Sequence, residues 1–111
     1  MPLYRESANL LIVANVVDYY DLDDVSNDPT PVNGATVSAK VYAPDRQTQL
    51  GSTVTLTAET GQAQNTYRGI FPASVNLSGY QTVAVRYEVD PSGTGDATVI
   101  QIRWTTEIVL D

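Results

Sequence analysis

Apolar and polar residues alternate with a period of two along most of this chain. Val37, Ala39 and Val41 alternate with Thr36, Ser38 and Lys40. Val54, Leu56 and Ala58 alternate with Thr53, Thr55 and Thr57. Val83, Val85, Tyr87 and Val89 alternate with Thr82, Ala84, Arg86 and Glu88. Near the end, Ile100, Ile102, Trp104, Thr106, Ile108 and Leu110 share one side, and Gln101, Arg103, Thr105 and Glu107 share the other. Side chains of a strand point alternately to its two faces, so each run predicts a half-buried strand with its apolar set in a core. By that rule Trp104 is predicted to be a core residue beside Ile102 and Ile108.

Turn residues separate the runs. Asn33-Gly34, Pro44-Asp45, Gly51, Thr60-Gly61, Ser78-Gly79 and the stretch 91–96 all carry Gly, Asn, Asp or Pro. These residues accept positive φ or preset φ for a turn. Strands are therefore predicted over residues 10–17, 36–42, 53–58, 66–71, 82–89 and 98–110, the last bending or splitting near Trp104. No helix is expected, and residues 73–77 can form one turn at most. Six or seven short strands predict an all-β antiparallel sandwich, in one domain spanning residues 1–111.

The first run differs from the others. Leu10, Ile12, Ala14 and Val16 fall on one side, and Leu11, Val13 and Val17 on the other, so both faces are apolar. Two arrangements fit: a strand covered on both sides within the domain, or one that leaves a side for a neighbouring subunit. In the second, Leu11 and Val13 are the contact candidates.

Composition removes whole classes of chemistry. The 111 residues contain no Cys and no His, so thiolate chemistry and His-based nucleophilic systems are absent from this chain. Net charge is −7, from 13 acids against 6 bases. The only Lys is Lys40, and the five Arg are scattered, which argues against nucleic acid and anionic membranes as partners. No run reaches the ~20 apolar residues of a membrane span. The N-terminus lacks the basic region of a secretion signal.

Five of the acids fall in the segment 18–28, an acidic loop. Asp21, Asp23, Asp24 and Asp28 are candidate Ca²⁺ ligands, since Ca²⁺ takes six to eight oxygens. The Gly and terminal Glu of a helix-loop-helix calcium site are missing, and a solvated loop accounts better for the run. No metal or other cofactor is expected. Paired carboxylates can hydrolyse glycosides, but Asp45, Glu59, Glu88, Asp90 and Glu107 sit near turns or on polar strand faces, and nothing marks a cleft. Tyr19, Tyr20, Tyr42, Tyr80 and Trp104 are the candidates for a sugar-stacking platform. Tyr19 and Tyr20 flank the acidic loop and join Leu11 and Val13 as candidates for contact with a partner.

The stretch 67–80, Tyr-Arg-Gly-Ile-Phe-Pro-Ala-Ser-Val-Asn-Leu-Ser-Gly-Tyr, resembles the middle of small immunoglobulin-like domains. It follows Val32-Asn33-Gly34-Ala35-Thr36-Val37, which is similar to the second-strand start of such domains. In that resemblance Tyr67 anchors in the core, Gly69 permits close packing or a bulge, Pro72 ends its strand and Leu77 plugs the bottom of the sandwich. Tyr80 resembles a tyrosine-corner residue, although its spacing leaves Tyr87 as the alternative. The whole layout, with a short opening that starts at Tyr4, also resembles small virion structural proteins of tailed bacteriophages, over roughly residues 4–109. The acidic segment is not part of that pattern. The resemblance implies a non-enzymatic virion protein, either a capsid decoration (cement) protein or a part of the head–tail neck. Its partner would be a major capsid or neck protein, and it would form homo-oligomers on the particle. The alternative is a carbohydrate- or receptor-binding sandwich on a virion or bacterial surface protein.

Overall fold

The computed structural model describes residues 2–14, 17–18, 30–31, 35–58, 66–90 and 100–111. Nine strands occur among them: β1 (Leu3–Tyr4), β2 (Asn9–Val13), β3 (Val17–Asp18), β4 (Thr30–Pro31), β5 (Thr36–Tyr42), β6 (Val54–Ala58), β7 (Tyr67–Phe71), β8 (Thr82–Asp90) and β9 (Gln101–Leu110). The described residues include no helix. Seven strands hydrogen-bond in the order β1-β9-β8-β5-β6-β7-β2, while β3 and β4 form a separate pair. Every contact in the larger sheet is antiparallel except β1 with β9.

The sheet folds over because β6 changes neighbour midway. Val54 and Leu56 pair with β5, and Thr57 and Ala58 pair with β7. One layer is thus β1, β9, β8 and β5, and the other is β7 and β2 joined through β6. The all-β sandwich is close to a barrel, whose seam lies between β1 and β2. Among the described residues no backbone ladder closes that seam; side chains do, Asn9 at one end and Arg103, which donates to Ala14 O at 2.9 Å, at the other. Asn9 is buried, its Oδ1 accepts the Tyr4 N–H at 2.8 Å, and its Nδ2 donates to the carbonyls of Tyr4 and Ser7, each at 3.0 Å. The turn it braces holds Glu6 at φ 58, a left-handed conformation.

The core takes one side of each alternating run. Val37, Ala39 and Val41 from β5 meet Val83, Val85, Tyr87 and Val89 from β8, with Leu11 and Val13 from β2 and Tyr67 and Phe71 from β7 opposite. Two expected strands change shape. The 10–17 run divides into β2 and β3, and β9 continues through Trp104 without a break.

The larger difference is the phase of β9. Its exposed side carries Ile102, Ile108 and Leu110, at 42%, 59% and 41% of full exposure. Its inward side carries Gln101, Arg103, Thr105, Glu107 and the buried Val109. The core placement predicted for the Ile102–Trp104–Ile108 side is therefore reversed. Register with β8 imposes this, because inward-facing Val83, Val85 and Tyr87 lie opposite Glu107, Thr105 and Arg103. Opposed residues in a ladder share a face.

Candidate interaction surface

The reversal of β9 puts apolar side chains on the outside of the β1-β9-β8-β5 layer. Leu110 lies beside Tyr4, which is 46% exposed, and Ile108 and Ile102 continue the row along β9. Eight residues of strand separate Ile102 from Leu110, a span of about 27 Å at strand rise. Scattered surface apolar residues need no explanation, but a contiguous row is the pattern of an interaction face.

Trp104 stands in the middle of this row, half-exposed, and does not enter the core. Tyr42 on β5 meets it with ring centroids 5.5 Å apart and planes inclined at 51°. The Arg46 guanidinium carbon lies 4.8 Å from the Trp104 ring centroid, a cation–π contact. Arg46 sits in the turn after β5, at φ 63. That conformation costs a non-glycine residue about 1 kcal/mol or more. The turn is held around it: Arg46 N–H donates to Ala43 O at 2.9 Å, and Asp45 Oδ1 accepts the Gln47 and Thr48 N–H groups at 2.9 and 3.3 Å. A strained backbone thus carries the side chain that covers the Trp104 ring.

The face is also locally basic on an acidic chain. Arg86 pairs directly opposite Trp104, and Lys40 opposite Arg86. With Arg46, three of the six bases share this face, and Arg46 is the one seen over the ring. Glu88 lies on the same side two residues from Arg86, and Asp90, buried at the end of the strand, follows it.

The structure distributes the other candidate residues as follows. Leu11 and Val13 are buried, at 0% and 4% exposure, so neither offers a surface to a partner. The outward residues of β2 are Leu10 and Ile12, both half-buried, and Leu10 pairs with the exposed Ile70. Within β2 the two alternating sets divide as the sequence divides them, with Leu11 and Val13 inward and Leu10 and Ile12 outward. Tyr19, Tyr20, Asp21, Asp23, Asp24, Asp28 and Glu59 lie outside the described residues. In the β3–β4 pair, Val17 lies opposite Pro31 and Asp18 opposite Thr30. Among the described residues no cluster of acids has the arrangement of a metal site. Asp45 is occupied by its turn, and Glu88 and Glu107 project to opposite faces of the layer.

Tyr67 is buried, and its hydroxyl accepts the Ala35 N–H at 3.0 Å, tying β7 to the start of β5. Gly69 packs closely: a Cβ there would lie 2.8 Å from Thr55 O. Pro72 follows the last residue of β7, and Leu77 is buried at the sandwich end. Tyr80 packs on the core rim, and its carbonyl accepts a hydrogen bond from the Arg5 guanidinium, which also pairs with Asp111 at 2.7 Å. Arg5 further lines a shallow depression of ≈ 410 Å³ with Glu6 and residues 73–78. Burial, and secondarily the charge of Glu107, push the Tyr87 phenol up to about 12 from 10.0, so it stays neutral and inert.

The feature that sequence alone does not reveal is the Tyr42–Trp104–Arg46 stack, since Arg46 reads as an ordinary turn residue. No family model matches the chain, and neither the curated proteins nor the solved structures contain a match to it.

Proposed function

We propose that this chain is a non-enzymatic structural protein of a tailed-bacteriophage particle, an immunoglobulin-like sandwich held by a capsid or neck protein through the outer face of its β1-β9-β8-β5 layer. The supporting observation is the exposed row Tyr4, Leu110, Ile108 and Ile102, centred on the Trp104 stack. Interfaces concentrate aromatic residues and Arg at their centres, with energy carried by a few anchors. Lys40, Arg46 and Arg86 make this face complementary to a partner that offers carboxylates around an apolar strip. The sequence resemblance to virion proteins supplies the kind of partner, and fold alone would not.

A sugar-binding role has less support. A stacking platform needs an open, flat ring face, whereas Arg46 covers one side of Trp104 and Tyr42 is inclined to it by 51°.

The test is composition of purified particles of the phage that encodes this chain. Mass spectrometry is expected to find the chain there in a fixed ratio to the shell or neck protein. Its absence from particles, together with glycan binding by the free chain, would decide for the sugar-binding role.

A further inference from the structure

We infer that two copies of this chain exchange their β1 segments, so that residues 3–5 of each copy lie along β9 of the other. Short hinges under strain favour such exchange, because the swapped contacts are the same contacts and only the hinge differs. Residues 6–8, between β1 and β2, form a hinge of this kind. Glu6 holds φ 58 there, a left-handed conformation that favours glycine. All three residues are exposed. Among the described residues one side-chain bond fastens them to the body, from Asn9 Nδ2 to Ser7 O at 3.0 Å.

The contacts that anchor β1 are transferable. Leu3 is fully buried in the core and pairs with Val109, while Tyr4 pairs with Leu110. Arg5 N–H donates to Leu110 O at 2.8 Å, and the Arg5 guanidinium reaches Tyr80 O and Asp111. Tyr4 bonds Asn9 through its N–H at 2.8 Å and its carbonyl at 3.0 Å. These partners belong to β9, Asp111, Tyr80 and Asn9, and none to the hinge. The β1 of a second copy therefore meets the same core pocket, the same strand edge and the same side chains. Release of β1 also leaves every antiparallel ladder intact, since its own pairing is the parallel one. Exchange loses the Ser7 bond and frees Glu6 from its left-handed conformation. The two forms are thus closely balanced, and concentration decides between them.

Hinge length sets where the copies meet. Three straightened residues span about 10 Å, so the two exchanged hinges cross at the corner made by residues 5–9. The depression of ≈ 410 Å³ lined by Arg5, Glu6 and residues 73–78 opens beside that corner and gives the crossing segment room. The outer apolar row survives the exchange, because each Tyr4 then stands next to Leu110 of the second copy.

This inference is independent of the particle. The chain has no Cys, so introduced cysteines report where β1 lies. Tyr4 and Leu110 are ladder neighbours with exposed side chains, and ladder spacing suits a disulfide. A chain carrying both Tyr4→Cys and Leu110→Cys, oxidised when dilute, is expected to close on itself, which shows that the pair is bondable. Separate Tyr4→Cys and Leu110→Cys chains are then unfolded together in urea, refolded at high micromolar concentration and oxidised. Near-physiological salt screens the −7 charge of each copy. The expected product on a non-reducing denaturing gel is a mixed dimer of twice 12.0 kDa, several-fold more abundant than the dimer either chain forms alone. Glu6→Gly in both chains removes the strain and should lower that yield several-fold. Ser7→Pro drives Glu6 toward extended backbone and should raise it. A mixed yield no greater than that of the single chains overturns the inference. So does a mixed yield that neither hinge variant changes.

Discussion

Trp104 and Tyr42 pack ring against ring on the outside of the sandwich, not within it, with centroids 5.5 Å apart. The pair links β9 to β5 across β8, and Arg46 closes over the same indole. Trp104→Ala should destabilise the domain by about 2 kcal/mol, from lost ring pairing, cation–π contact and covered area. The midpoint of thermal unfolding should fall by roughly 10 °C. Arg46→Gly should behave differently. It relieves the positive φ while removing the cation, so stability should change by less than about 1 kcal/mol. Emission of the only Trp in the chain should still shift to longer wavelength. Large destabilisation by Arg46→Gly would mean that the guanidinium, not the turn, holds this corner.

The period of β2, β5, β6, β8 and β9 is legible in the sequence, and so is the all-β class, whereas the two-residue strands β1 and β4 leave no period to read. The phase is legible only where one side is plainly polar, as in β5 and β6. In β9 the local pattern favours the wrong side, since Ile102, Trp104 and Ile108 outweigh Val109. A one-residue shift exchanges every side chain between faces, and only pairing with β8 decides it. In β2 both sides are apolar, so Leu11 and Val13 could not be told from Leu10 and Ile12. The Asn9 seam and the Arg46 stack depend on contacts between distant segments or on backbone strain. Neither leaves a periodic trace.

Asn9 replaces a missing ladder between β1 and β2. Asn9→Ala would leave the Tyr4 N–H and the Tyr4 and Ser7 carbonyls without that partner at a part-buried site, beside the cavity that the lost side chain leaves. The expected loss is about 2–4 kcal/mol, measured by urea unfolding. Asn9→Asp retains the acceptor but aims a carboxylate at two carbonyls, so it should be no better. A loss below about 0.5 kcal/mol for both variants would show that the turn of residues 5–8 holds the seam unaided.

Gly69 sits where backbone and side chains crowd in. A methyl group there meets Thr55 O at 2.8 Å, Val54 Cγ1 at 3.0 Å and Leu56 Cγ at 3.3 Å. Gly69→Ala should therefore cost about 1–3 kcal/mol through overpacking. Gly79→Ala is the control: its Cβ would meet nothing within 4 Å, and any cost comes from φ 85 alone. A ranking with Gly79→Ala far worse would mean that backbone conformation outweighs crowding here. Equilibrium unfolding of both variants measures it.

Tyr87 couples stability to alkaline pH. Its folded value of about 12 lies above the ordinary 10.0, chiefly from burial and then from Glu107. Above pH 10 the unfolded chain releases this proton while the folded chain retains it. The contribution is thus complete below pH 10 and is lost as pH rises toward 12, amounting to up to roughly 3 kcal/mol. Tyr87→Phe should flatten the fall of stability between pH 10 and 12. Glu107→Gln should shift the phenol only part of the way back, since charge is the smaller cause. An unchanged alkaline profile in Tyr87→Phe would place the titrating group elsewhere.

Leu110→Ser and Arg86→Glu probe the outer face of the β1-β9-β8-β5 layer. Leu110 is 41% exposed and pairs with β1, and Arg86 lies opposite Trp104 in the centre of the layer. Neither belongs to the core, so folded stability should change by about 1 kcal/mol or less. If this face is what a particle holds, Leu110→Ser removes an apolar anchor and Arg86→Glu sets an acid against an acidic partner. Both should weaken cosedimentation with particles, by about tenfold or more for the charge reversal. Full particle binding by the combined variant would move the contact to the opposite layer, where Ile70 and Leu10 form the other outward apolar pair. Loss of particle binding by both variants, with folded stability unchanged, would place the particle contact on this outer face.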